Sequence, residues 1–313
     1  DLTISEITAT TGELTADEQT VTLEFIVTMP GDFIYFCSVP GHREIGMFGT
    51  LRVSGTVEVG DRAELAASQG GEMVHAMTVA TIAPAAADAV SIVRDPADVP
   101  PPVEDRGPMT HRVDMNTVEV TGVLADGTTF NYFTFDGTVP GPMLRVRVGD
   151  TVDFHLHNDP NSLYPHSIDL HSVTGPGGGA VYTQTLPGGE TSFTFQALIP
   201  GLYVYHCATA SIPHHISSGM YGLILVEPPG GLPPVDREFY VMQGDIYTEF
   251  PYGTAGHQPF SAANMSHEDA DYLVFNGAVG GLTSDEHALR ANVGETVRIY
   301  FGVGGPNYTS SFH

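Results

Sequence analysis

Two cysteines stand in the same frame. Around the first run Pro30-Gly31-Asp32-Phe33-Ile34-Tyr35-Phe36-Cys37, then His42, Met47 and Gly49-Thr50-Leu51-Arg52-Val53. Around the second run Pro200-Gly201-Leu202-Tyr203-Val204-Tyr205-His206-Cys207, then His215, Met220 and Gly222-Leu223-Ile224-Leu225-Val226. Turn, aromatic strand, Cys, a loop with His, Met and a closing strand follow in the same order both times, an internal repeat. A disulfide between Cys37 and Cys207 would ignore that repetition. A thiolate, an imidazole and a thioether on one loop are soft donors that suit copper, and one more His completes a His₂Cys site with a weak axial Met, built for electron transfer. His214 precedes His215, so either ring could serve. The gap to Met220 repeats that from His42 to Met47 and favours His215.

The missing His separates the copies. No His precedes Cys37, whereas His111, His155, His157, His166 and His171 precede Cys207. In an extended run, Asp169 and His171 share one face and His166 takes the other; Cys207 and His206 likewise face apart. One grouping is therefore His166, Cys207, His215 and Met220 inside a sandwich. The other is Asp169, His171 and His206 outside it, the beginning of a second metal site that still lacks ligands. Adjacent His206 and Cys207 would link the two through a short covalent path. His155-Leu156-His157 places two rings on one strand face. It reads as a solvated face, with metal binding the alternative, and Ala208 after Cys207 argues against a trinuclear copper centre.

The elements that hold these residues are short strands. With 36 Gly and 23 Pro among 313 residues and frequent Thr, Val and Tyr, the composition reads as all-β. Phe135-Asp136-Gly137-Thr138-Val139-Pro140-Gly141 leads to Val148-Gly149-Asp150-Thr151-Val152. It recurs as Phe275-Asn276-Gly277-Ala278-Val279-Gly280-Gly281, leading to Val293-Gly294-Glu295-Thr296-Val297. The expected organisation has four parts: 1–56 as the C-terminal part of one sandwich, 57–107 as a linker, 108–230 as a complete sandwich, and 231–313 as a crossover opening a third. Residues 60–70 carry a short helical pattern. Both ends of the sequence read as cut.

The chain carries 37 acidic and 11 basic side chains, every basic one Arg, for a formal charge of −26. That balance excludes nucleic acid and anionic membrane surfaces as partners and fits a salty habitat, where a dense acidic surface keeps a protein soluble. No apolar run approaches the roughly 20 residues of a membrane span.

Taken together, these residues resemble the copper-containing nitrite reductases that carry an extra N-terminal cupredoxin domain. The resemblance covers essentially the whole chain, is densest in 130–226 and 272–313, and implies an all-β fold of tandem cupredoxin-type Greek-key sandwiches. It implies type 1 copper on His166, Cys207, His215 and Met220, and type 2 copper on His171 and His206. A third type 2 His would come from a neighbouring subunit of a homotrimer and lie beyond residue 313 of this numbering. Asp169 and His313, in Ser310-Ser311-Phe312-His313, would supply protons for one-electron reduction of nitrite to nitric oxide. Cys37, His42 and Met47 would hold a further copper in a fused donor domain, with an external donor protein as the alternative. A periplasmic or extracellular location is implied as well. Three other classes remain: a laccase-like multicopper oxidase, an electron carrier without catalysis, and a non-catalytic relic.

Overall fold

The computed structural model describes residues 82–103, 105–174, 177–292 and 295–310, and the backbone of four strands within residues 1–53. The chain divides into two compact units, Asp1–Thr81 and Ile82–His313. In the first unit, β1 (Leu2–Ile4) pairs antiparallel with β2 (Ile7–Ala9), and β3 (Gly31–Phe36) pairs with β4 (Phe48–Val53). These last two are the aromatic and closing strands of the first Cys frame. Cys37, His42, Met47 and the helical pattern at 60–70 lie outside the described residues, as does His313.

The second unit holds β5 (Thr110–Ala125), β6 (Thr128–Phe135), β7 (Leu144–Arg147), β8 (Thr151–Asn158), β9 (Asp169–Leu170), α1 (His171–Thr174), β10 (Glu190–Gln196), β11 (Gly201–His206), α2 (Ile212–Ser217) and β12 (Tyr221–Glu227). Then follow β13 (Arg237–Ile246), β14 (Gly256–Gln258), α3 (Ala262–Ser266), β15 (Tyr272–Phe275) and β16 (Val297–Gly305). Strand order is β10-β8-β5-β6-β14 in one sheet and β7-β12-β11-β9 in the other. The chain changes sheets from β6 to β7, β7 to β8, β8 to β9, β9 to β10 and β10 to β11, so few neighbours in sequence pair. Between the sheets lies a core of Met115, Phe135, Phe154, Leu156, Ile168, Tyr205, Cys207, Met220, Ile224 and Val226.

Tyr221-Gly222-Leu223-Ile224-Leu225-Val226 is buried along its whole length because it separates two cores. Ile224 and Val226 face the sandwich. Tyr221, Leu223 and Leu225 face a second core with Tyr240, Met242, Val274 and Tyr300 of the three-stranded sheet β15-β13-β16. Tyr221 fits that sheet because two of its residues are glycines. A Cβ on Gly244 would sit 2.2 Å from the Tyr221 hydroxyl, and one on Gly304 would sit 2.4 Å from Tyr221 Cγ. Arg145 on β7 ties the layers polarly: its Nε donates to Glu227 at 2.5 Å and its Nη1 to Glu238 at 2.7 Å, and Arg298 also reaches Glu238.

Two expectations about organisation need correcting. Residues 82–107 do not form a free linker in their described part. Val90 N donates to Thr121 O, Arg94 N to Val139 O and Val139 N to Ile92 O, and Ile92 is fully buried in the second core. The prolines break periodicity without preventing packing, so composition alone reads the segment as loose. The crossover expected at the start of 231–313 is not mainly loop either, since β13 is a ten-residue strand buried along most of its length. Its Gln243, Gly244 and Asp245 hide the apolar run that would have marked it.

The repeated Phe-Asp/Asn-Gly motif folds the same way twice. Asp136 and Gly137 have φ of 54° and 78°, and Asn276 and Gly277 have 49° and 88°. Such paired positive φ values are what Asn-Gly and Asp-Gly turns supply. After each turn, a carboxylate caps the following corner. Asp150 accepts from Arg147 N and pairs with Arg106, and Glu295 accepts from Asn292 N and pairs with Arg237.

Candidate metal centres

β11 and β12 run antiparallel, Gly201 opposite Val226 and His206 opposite Tyr221, so the loop between them hangs at one end of the sandwich. Cys207 is the first residue of that loop and is fully buried, a free thiol. Its N–H donates to Met220 O, and Met220 N donates to His215 O, closing the loop on itself. α2 starts at Ile212 with Pro213 in its first turn, where a missing N–H costs nothing. It turns His215 inward. His214, one residue earlier, leaves the cluster and stacks on Phe260 at 3.9 Å between centroids.

His166, Cys207 and His215 meet as three buried side chains, their donor atoms within 4.8 Å of one another. His215 Nδ1 lies 3.4 Å from Cys207 Sγ and 3.2 Å from His166 Nδ1. Met220 is buried in the same core. Burial pushes the His166 imidazole down to about 4 and, with the neighbouring rings, His215 down to about 3. Both rings are therefore neutral at neutral pH, the form that ligates a metal. Burial pushes the Cys207 thiol up, partly offset by donors from Thr209 and Ser167; Ser167 N lies 3.4 Å from Sγ. A buried thiol among neutral imidazoles offers a soft S/N set, and a bound cation would be needed to hold it as thiolate. The donor set fits copper.

The second cluster joins Asp169, His171 and His206 at a half-buried site. It is not built on one extended run, as the alternation argument supposes. His166 makes a lone bridge to Thr185, Asp169 and Leu170 form a two-residue strand against β11, and His171 begins α1. The grouping results anyway. His171 Nε2 lies 3.1 Å from His206 Nε2. The His206 Nδ1–H donates to Cys207 O at 2.9 Å, which leaves Nε2 with its lone pair toward His171. Burial, with His206 alongside, lowers the His171 pKa. Two such nitrogens converging on one point suit an imidazole-bound metal with room for further ligands.

Asp169 is also a turn carboxylate. Its oxygens accept from Gly177 N at 2.5 Å and Gly178 N at 2.7 Å. Gly178 itself donates no space to a side chain: a Cβ there would lie 2.2 Å from Leu170 O. The Gly177-Gly178-Gly179 run is thus part of the machinery that aims Asp169.

The other candidate histidines are engaged elsewhere. His155 pairs with Glu190 and Asp153, His157 with Asp114, and His111 with Asp150. The H-x-H pair lies on the polar outer face of β8, and the described residues gather no third metal cluster.

Sequence reasoning overlooks Glu119, whose Oε1 accepts from Leu163 N at 2.9 Å, Tyr164 N at 2.8 Å and His166 Nε2 at 3.1 Å. The available signal was alternation, since Met115 and Thr117 on β5 are buried and Glu119 falls on the same face. Phe133, 5.4 Å from the His166 ring and 5.2 Å from the His215 ring, was hidden among ordinary core aromatics.

Comparison with known proteins follows the same lines. The family described as "Multicopper oxidase" matches residues 117–231. A copper-containing nitrite reductase of Neisseria meningitidis serogroup B is 54% identical over 216 residues, covering 69% of this chain and 55% of that protein. One from Cereibacter sphaeroides is 37% identical over 225 residues, covering 64% of this chain and 59% of that protein. The chain spans about half the length of these curated relatives. Among solved structures, copper nitrite reductase from Nitrosomonas europaea superposes with a TM-score of 0.53 at 37% identity, covering 63% of this chain and 69% of that one. A multicopper oxidase superposes at 0.51 with 25% identity.

Proposed function

Because the chain belongs to the family of copper-containing nitrite reductases, we propose that the intact protein reduces nitrite by one electron, consuming two protons and releasing nitric oxide and water. The observation that carries this is the pairing of two unlike donor sets through adjacent residues. Cys207 belongs to a buried S/N cluster, and His206 to a half-buried imidazole and carboxylate cluster. Copper, when bound, supplies one-electron redox chemistry in the first set and Lewis acidity in the second.

In this reading His166, Cys207, His215 and Met220 hold type 1 copper. His171 and His206 hold type 2 copper, joined by a third imidazole from a neighbouring subunit of a homotrimer. With copper bound in both clusters, the peptide link from Cys207 to His206 would be a short covalent path between them. Around the half-buried site, Asp169 has a share of its lone pairs tied to Gly177 and Gly178 and the rest available. From that fixed position it hydrogen-bonds the anion or a water and passes on a proton. His313 supplies the second proton, for which an imidazole is suited near neutral pH. Cys37, His42 and Met47 make the first unit a tethered copper donor, whose attachment raises its effective concentration at the acceptor. The setting is periplasmic or extracellular; among the described residues no helix is long and apolar enough to cross a membrane.

The test is nitric oxide release from nitrite by the full-length, copper-loaded protein with an electron donor, followed at an electrode. Release that stops when His206 is replaced supports the reading. Copper-loaded protein that makes no nitric oxide rejects it, and oxygen uptake with a phenol would assign the laccase-like alternative instead.

A further inference from the structure

Glu119 has an unusual position for a carboxylate. It occupies the core-facing register of β5, its side chain is only 12% exposed, and one oxygen gathers three N–H groups. Two belong to the backbone of Leu163 and Tyr164, in the loop that delivers His166. The third is the far nitrogen of His166 itself. A carboxylate oxygen accepts, so His166 carries its proton on Nε2. Nδ1 is then a lone pair, directed at His215 Nδ1 and the Cys207 end of the cluster. Among the described residues no carboxylate hydrogen-bonds His215, so the two imidazoles of the cluster are unequal.

We propose that Glu119 is a positioning residue for the buried metal centre. It sets the tautomer and direction of His166, clamps the 163–164 turn, and tunes the redox balance of the bound ion by placing negative charge behind one ligand. This rests on the reading of His166 as a copper ligand. A carboxylate behind an imidazole makes the ring a stronger donor. Stronger donation favours the more highly charged oxidation state, so Glu119 holds the reduction potential down. Within the cluster Glu119 hydrogen-bonds His166, so its charge acts on a bound ion through that ligand.

The experiment compares Glu119→Gln and Glu119→Leu with the wild type in the full chain. In Glu119→Gln the amide oxygen still accepts the two backbone N–H groups, so the loop is retained and the charge is lost. The expected result is a raised reduction potential with little change in melting temperature, each tenfold in the reduced-to-oxidised ratio reading as about 59 mV. Glu119→Leu is expected to bind copper about 10–100-fold more weakly and to shift the visible charge-transfer band. Nitrogen NMR of the metal-free chain gives a readout independent of copper: His166 is the Nε2–H tautomer in the wild type and a mixture in Glu119→Leu. Lower melting temperatures with unchanged potential and unchanged tautomer would mean a purely structural role and overturn the proposal. If the wild type binds copper without a thiolate charge-transfer band, the metal reading itself fails, and the tautomer measurement still decides whether Glu119 orients the ring.

Discussion

The two clusters of the second unit share a peptide bond and little else. His166, Cys207 and His215 are fully buried, neutral and enclosed by Phe133 and the α2 loop. His171 and His206 are half-buried and stand beside a buried carboxylate, Asp169, fixed by backbone N–H groups. The first has its donors in place and excludes water, as suits a group that changes charge without changing ligands. The second leaves open positions, as suits a group that must bind something. The contrast teaches that the end of β11 and the first loop residue do two jobs by alternation: Cys207 faces the core and His206, before it, faces out.

Cys207→Ala should have the largest effect. It removes the only sulfur of the buried triad, and the visible thiolate-to-copper absorption should vanish while copper bound at His171 and His206 persists in spin resonance. Loss of both signals together would show that the clusters are not separable.

Acid should act on the buried cluster first. In the metal-free chain His166 titrates near 4 and His215 near 3, against about 6.5 for a free imidazole. Below 6.5 the unfolded chain binds more protons, so stability is complete above that pH and declines as pH falls toward 4. His166 alone should account for on the order of 3 kcal/mol of that loss. Denaturant midpoints from pH 7 to pH 4 check it, and a flat profile would mean the rings are not desolvated.

Gly178→Ala probes the half-buried cluster alone. The new Cβ meets Leu170 O, so the Asp169 turn must shift. Copper at His171 and His206 should be held about 10–100-fold more weakly, with the visible band intact. A displaced band would couple the sites more tightly than their burial implies.

The smallest effect belongs to His155 and His157. Replacing both with Ala should move stability by no more than about 0.5 kcal/mol and leave the copper content unchanged by metal analysis. A lost copper would revive the metal reading of the H-x-H pair.

Much of this arrangement was legible in the chain. The doubled Cys-His-Met frame marked β3–β4 and β11–β12, and the Phe-Asp/Asn-Gly repeat marked two equivalent turns. Spacing pointed to His215 over His214, and the structure turns His215 inward. Other features depend on partners distant in sequence. Glu119 meets His166 only because β5 and the 159–166 loop converge. Residues 82–103 look like a linker until their backbone bonds to β5 and Val139 are seen. The rule that separated His166 from Asp169 and His171 gave the right grouping for a run that is only briefly extended, because a short bridge, a two-residue strand and a helix start replaced one strand.

The glycines that receive Tyr221 carry a consequence for how such a chain can vary. A β-carbon at Gly244 or Gly304 and a phenol ring at Tyr221 cannot occupy the same space. None of the three can change far without the others following. Across any lineage they should behave as one inherited character, and a sequence that keeps the ring while losing a glycine would have had to re-seat the second sheet.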